Sequence, residues 1–184
     1  YRNMKIIGVY HIGCVNDRFG PIVVEQLTEL QKHGLYDIMT KLVIFVSNYK
    51  NEHSGLESIL KGFDPKNKFV VNYESRNLRE KFAINGIKQF ITDETYLFYF
   101  HTKGVTRVDE KFHQWRKILN LYTLKEWKLN IQYLKKYDAV GCYLSRYPAL
   151  HFSGNFWWSR VSYIKKLPRC GDSYLAPEMW VGSR

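Results

Sequence analysis

The chain has 184 residues, 45% hydrophobic and 16% aromatic, which is enough for one domain with a core in three layers. Lys and Arg outnumber Asp and Glu by 28 to 17, and the resulting +11 favours polyanions, phosphorylated small molecules or an acidic surface while saying nothing of fold. No apolar run is long enough to cross a bilayer. Three cysteines (Cys14, Cys142, Cys170) without metal-ligand spacing argue against zinc and a disulfide framework and for a reducing, cytoplasmic setting.

Residues 4–14, MKIIGVYHIGC, are apolar almost throughout and predict a first strand covered on both faces. Phe19–Gly34 predicts a helix: Pro21 suits its first turn, Ile22, Val23, Leu27 and Leu30 form one stripe, and Gly34 ends it. Lys41–Ser47 is a second strand. Ser54 and Glu57 have capping-box spacing before a short helix with Leu56, Ile59 and Leu60, which Asp64-Pro65 breaks. Lys68–Tyr73 is a third strand. Asn77 with Glu80 repeats the capping spacing and opens a longer helix with Ala83, Ile87, Phe90 and Ile91 on one face. A fourth strand starts at Tyr96. The order βαβαβαβ predicts an α/β architecture, a central, mostly parallel sheet with crossover helices on both faces.

The second half changes character. Glu110–Tyr122 predicts a helix, and Thr123 with Glu126 opens another whose Leu124, Trp127, Ile131 and Leu134 step by three and four. Asp138–Leu144 is a further strand. HFSGNFWWS, residues 151–159, precedes a short basic helix with Tyr163, Ile164 and Leu167. The last stretch is GDSYLAPEMWVGSR. No repeat or linker interrupts the chain, so residues 1–184 read as one domain, and a first residue other than Met points to excision from a longer polypeptide.

Ligands of open α/β sheets sit beyond the carboxyl ends of the strands. There the first strand offers Tyr10, His11 and Gly13, the third Tyr73, Glu74, Arg76 and Arg79, and the fourth His101-Thr102-Lys103-Gly104 with Arg107 nearby. One edge would thus gather rings, hydrogen-bonding groups and cations, as a nucleotide-type ligand requires; polar residues at strand ends are otherwise ordinary loop residues. Neither G-x-G-x-x-G nor a P-loop is present, so phosphates would be held by side chains, a metal, or both. In the 151–159 stretch, Gly154 lets backbone approach a ligand, Ser153 and Asn155 can bond hydroxyls, and Trp157 or Trp158 can stack on a sugar. If the stretch alternates as a strand, one indole faces inward and one outward. Glu178, next to Pro177 in a helical first turn, is a candidate general base, and Asp172 is the second candidate.

The βαβαβαβ order, HTKG after the fourth strand, HFSGNFWW and the closing PEMWVG together resemble nucleotide-sugar glycosyltransferases of the GT-A (Rossmann-like) fold. The likeness is to a group found in bacteria and large DNA viruses, chlorella viruses among them. The resemblance implies a three-layer sandwich transferring a hexose or deoxyhexose from a UDP-sugar, such as UDP-glucose or UDP-rhamnose, to a glycan or glycoprotein acceptor. Viral capsid glycan synthesis in the host cytoplasm is the setting it implies. It also implies that Tyr10 to Cys14 and Tyr73 to Arg79 hold the uridine, that Asn85 lies on the helix leaning on the base, and that Ser153–Asn155 meets donor sugar or acceptor. Glu178 would be the base. The Asp-x-Asp that usually holds Mn²⁺ or Mg²⁺ is replaced by His101-Thr102-Lys103, in which His101 is the one candidate metal ligand. A module binding RNA or single-stranded DNA is the rival reading of the basic, aromatic composition, but no RNA-recognition signature is present.

Overall fold

A computed structural model describes residues 3–184. Strand β1 (Ile6–Gly13) leads into helix α1 (Phe19–Lys32) and a one-turn helix α2 (Leu35–Ile38), then β2 (Lys41–Ser47), α3 (Gly55–Gly62), β3 (Phe69–Tyr73), α4 (Glu80–Gly86) and β4 (Tyr96–His101). Helix α5 (Glu110–Asn120) runs through a π-helical turn at Leu121–Lys125 into α6 (Trp127–Tyr133). The chain continues through β5 (Ala139–Gly141), β6 (Leu144–Ser145), β7 (His151–Phe152), β8 (Trp157–Arg160), α7 (Val161–Ile164) and α8 (Ala176–Met179).

Six strands form one sheet in the order β3-β2-β1-β4-β8-β5, while β6 and β7 form a small hairpin apart from it. β1 pairs in parallel with β2 and β4, and β2 with β3; β8 alone runs against its neighbours β4 and β5. The sheet is mostly parallel and flanked by helices, as the sequence predicts. Chain order reverses between β1 and β4, the kind of switch point where such sheets open a crevice.

Strand alternation divides the core. Tyr10, Ile12, Ile44, Phe98, Phe100 and Trp158 pack on the face covered by α1, α3 and α6. Val9, Val43, Phe45, Leu97, Tyr99 and Trp157 pack on the face covered by α4, α7 and the segment around Trp180. Both indoles are therefore buried, Trp157 stacked on Tyr99 and Trp158 on Phe98. The expectation that one would face outward fails because the sheet is covered on both faces. Trp157 is no sugar platform.

Local details also differ from prediction. Neither Ser54 nor Asn77 forms a capping box: α3 has no side-chain cap, and α4 starts at Glu80, with Arg79 before it at φ 55°, ψ −154°. The predicted break between residues 122 and 123 is absent, because the π-helical turn carries α5 into α6. The strand expected over 138–144 shortens to Ala139–Gly141. Among the described residues no helix is long and apolar enough to cross a membrane.

Candidate functional site

A cleft of about 320 Å³ opens over the switch point. Its floor is His11 and Gly13 from β1, Ser47 from β2, His101 at the end of β4 and Thr102 and Lys103 in the turn after it; Asn77, Arg79 and Glu80 form one wall, and residues 104–107 the other. In β1 and β4 the odd-numbered residues face α4, which brings His11, Tyr99 and His101 towards Glu80.

Buried polar groups hold the floor in place. His101 Nε2 donates to the Gly154 carbonyl at 2.7 Å, which puts a proton on that nitrogen, and His11 Nε2 lies 2.8 Å from Ser47 Oγ. Burial pushes the His101 pKa down to about 3, with Lys103 adding to the effect. His11 is lowered to about 4, chiefly by burial, against an upward pull from Glu80. Both imidazoles are therefore neutral at pH 7. Thr102 Oγ1 accepts from Gly13 N–H at 3.1 Å, and Thr102 N–H donates to the His11 carbonyl, so β1 and β4 are tied together beneath the ligand space.

A second layer supports the β4 turn from the α1 side. The buried Arg116 guanidinium donates to both oxygens of Glu25 at 2.6 and 3.1 Å, and to the Lys103 carbonyl at 3.0 Å. Gln26 Nε2 donates to the His101 carbonyl at 2.8 Å while its Oε1 accepts from Tyr10 O–H at 2.6 Å. Arg116 is buried while Glu25 is half-buried, so the pair anchors the turn carrying His101 and Lys103 from below.

Glu80 is the functional candidate that sequence reasoning passed over as a capping partner. Its Oε1 accepts from Tyr99 O–H at 2.8 Å and Asn155 Nδ2 at 2.9 Å, and lies 3.4 Å from His101 Nε2. Asn155 is oriented by Trp157 Nε1–H, which donates to its Oδ1 at 2.9 Å. Among the described residues lining the cleft, Glu80 is the only carboxylate, and burial raises its pKa. The available signal was its place, an acid just beyond the carboxyl end of β3.

Three cations line the same cleft. None has a carboxylate in ion-pair contact among the described residues, and each rests on a ring: Arg79 on Tyr174, Lys103 on Trp115 and Arg107 on Phe112, at 4.9, 4.2 and 5.4 Å from the ring centroids. A phosphate at 4 Å attracts a unit cation by about 4 kcal/mol at an effective dielectric constant of 20. A cation–π contact is worth about 0.5–2 kcal/mol. The cleft thus carries positive charge that no carboxylate among the described residues offsets by an ion pair.

Several predicted site residues lie elsewhere. Tyr10 is wholly buried and stacked on Phe100, because even-numbered β1 residues face α1. Tyr73, Arg76 and Asn85 line a separate pocket beside α4. Arg76 there is paired with Glu74, whose carboxyl it holds down at about 2, and Asn85 Oδ1 accepts from Cys170 N–H. Asp172 is exposed and paired with Lys81. Glu178 accepts the Gly154 N–H at 2.8 Å and does not line the cleft, so it braces the Gly154–Asn155 turn. Ser153 Oγ lies 3.2 Å from His151 Nε2 and also stands outside the cleft lining. Gly154, at φ +95°, brings its carbonyl to His101 in a conformation that favours glycine.

The divalent metal implied by the family resemblance does not fit these residues. Where a carboxylate pair would stand are an imidazole whose Nε2 proton is on a carbonyl, a hydroxyl and an ammonium. Among the described residues no group of three or more His, Cys, Asp or Glu side chains is placed to hold a metal ion.

The sheet order and the cleft at its switch point define an α/β protein of nucleotidyltransferase-like, GT-A-like fold. A solved cytidylyltransferase from Leptospira borgpetersenii serovar Hardjo-bovis matches it with a TM-score of 0.50 and 14% identity, over 89% of this chain and 63% of that one. This chain thus spans less than two thirds of that protein. A 4-diphosphocytidyl-2C-methyl-D-erythritolsynthase from Anaerococcus prevotii matches with a TM-score of 0.49 and 11% identity, over 89% of this chain and 76% of that one. Comparison with curated protein sequences gives no match. The chain belongs to the family described as Domain of unknown function (DUF8361), whose profile matches residues 13–183.

Proposed function

We propose that this protein is a glycosyltransferase that binds a UDP-sugar in the switch-point cleft and passes the hexose or deoxyhexose to a glycan or glycoprotein acceptor. The observation that carries the reading is the set of three cations without carboxylate partners, gathered at one edge of a nucleotidyltransferase-like sheet beside a single carboxylate. In this reading the acceptor oxygen attacks the anomeric carbon. The bond from that carbon to the diphosphate breaks, its electron pair stays on UDP, and Arg79, Lys103 and Arg107 stabilise the charge. Glu80 takes the acceptor proton, a role suited to a carboxyl at the cleft whose pKa burial raises. His11, Thr102 and His101 shape the floor, and Asn155 orients Glu80.

A thermal-shift screen with UDP, UDP-glucose, UDP-rhamnose, CTP, GDP and a generic oligonucleotide tests this, because a ligand selective for the native state raises the melting temperature. Stabilisation by UDP and UDP-sugars is expected, followed by UDP release on adding acceptor. Preference for CTP would move the reading to nucleotidyl transfer, a chemistry found on the same kind of sheet. Binding of the oligonucleotide alone, weakening steeply with salt, would identify a nucleic-acid module.

A further inference from the structure

We infer that the cleft grips a nucleoside diphosphate without a divalent metal, the three ring-parked cations Lys103, Arg79 and Arg107 taking the metal's place. The inference rests on the nucleotide-binding reading and goes beyond it, since the family resemblance implies Mn²⁺ or Mg²⁺. Two separate observations support it.

The first is the donor set. A bridging cation is needed where carboxylates face a diphosphate, because like charges must be joined by an opposite one. Residues 101–103 present no carboxylate, and Glu80 has its Oε1 engaged by Tyr99 and Asn155. A hard divalent cation prefers several oxygen ligands. Here it would meet one carboxylate and three positive side chains.

The second is how the cations are kept when no anion is present. Other cations nearby are committed, Arg76 to Glu74, Lys81 to Asp172 and Arg116 to Glu25. Arg79, Lys103 and Arg107 lie instead on Tyr174, Trp115 and Phe112. A ring holds a cation in place without cancelling its charge, so each can turn to a phosphate without first breaking an ion pair. Arg79 is further fixed by a backbone conformation, φ 55° and ψ −154°, that side-chain-bearing residues rarely adopt. Lys103 projects from a turn anchored from below, its carbonyl held by Arg116. Binding then draws Lys103 off the indole of Trp115, which makes that ring a reporter.

The test is calorimetry of UDP into the full chain, in EDTA and then in Mn²⁺ or Mg²⁺, with tryptophan fluorescence followed in parallel. The expected result is UDP binding in EDTA, with a Kd that added metal changes by no more than about twofold. Lys103→Met is expected to weaken UDP by about tenfold or more while leaving uridine unchanged, and Lys103→Arg to restore much of the loss. UDP should change the fluorescence of the native chain and not of Trp115→Phe. An unaltered melting temperature for Lys103→Met, a partly exposed position, shows that the fold is intact; Arg107→Met provides an independent second variant. Tightening by tenfold or more on adding Mn²⁺, or no weakening by Lys103→Met and Arg107→Met, overturns the metal-free clamp and leaves the nucleotide reading standing. Absence of binding by UDP, UDP-glucose and UDP-rhamnose, with and without metal, overturns both.

Discussion

Substituting Gly154 by Ala strains the backbone and the site together. The residue sits at φ +95°, and a Cβ there would come within 2.7 Å of Leu119 Cδ1 and 3.3 Å of Trp115 Cζ2. Leu119 is wholly buried and has little room to turn away. Left-handed backbone costs a side-chain-bearing residue about 1–2 kcal/mol, and forcing an extra methyl into a filled space about 1–3 kcal/mol. The sum is about 3 kcal/mol, or roughly 6–12 °C in melting temperature for a chain of this length. UDP affinity should fall as well, because displacing Gly154 releases both the His101 Nε2 proton and Glu178. Urea denaturation and calorimetry measure the two effects. Gly171→Ala is the control, since its Cβ would meet only Ala176 at an ordinary 3.7 Å. A Gly154→Ala protein that loses less than about 1 kcal/mol would refute both the strain and the crowding.

Further outcomes follow from the same contacts. Acid should destabilise the fold between about pH 6.5 and pH 3: His11 and His101 stay neutral in the native chain down to about 4 and about 3, while the unfolded chain takes up their protons near 6.5. Glu80, with its folded pKa raised, offsets part of that loss as pH falls, so Glu80→Gln should steepen it; an unchanged denaturation profile would contradict this assignment. The same Glu80→Gln variant should retain UDP and slow sugar transfer by about a hundredfold or more, read as kcat against KM. Arg116→Met removes the ion-pair partner of half-buried Glu25, which keeps only its bond from Asn120, and the cap on the Lys103 carbonyl, and should cost about 1–3 kcal/mol by denaturation. Arg79→Gly should weaken UDP without lowering the melting temperature, because relief of a strained φ offsets the loss of the Tyr174 contact. Asp172→Asn should leave melting temperature and UDP binding unmoved, as the Lys81 pair is exposed.

The first four strands and α1 could be read from the sequence because their apolar runs and 3.6-residue stripe are local patterns, and the parallel order follows from alternation of strands and helices. Placing His101-Thr102-Lys103 beside His11 and Gly13 needed only that order. The face on which a residue of a doubly covered strand lies is not a local property. Tyr10 and His11 are neighbours in sequence, yet one stacks in the core and the other floors the cleft. Trp157 and Trp158 were ambiguous for the same reason. Glu80 escaped notice because its spacing from Asn77 mimics a helix cap, whereas the partners that give it meaning, Tyr99 and Asn155, come from elements far along the chain. The Glu25–Arg116 support joins residues 91 apart, a relation no periodicity discloses.

The direction of β8 decides which parts of this protein can change without harm. Because that strand runs backwards between two forward ones, the residues leading into it, rather than those leaving it, arrive at the ligand edge, and Arg160 emerges at the far rim beside Tyr96. Relatives that differ in what they bind should therefore vary in length and composition ahead of Trp157, around the β6–β7 hairpin. Insertions directly after Arg160, well before the chain returns to the cleft at Tyr174, would lengthen the opposite end and leave ligand choice untouched.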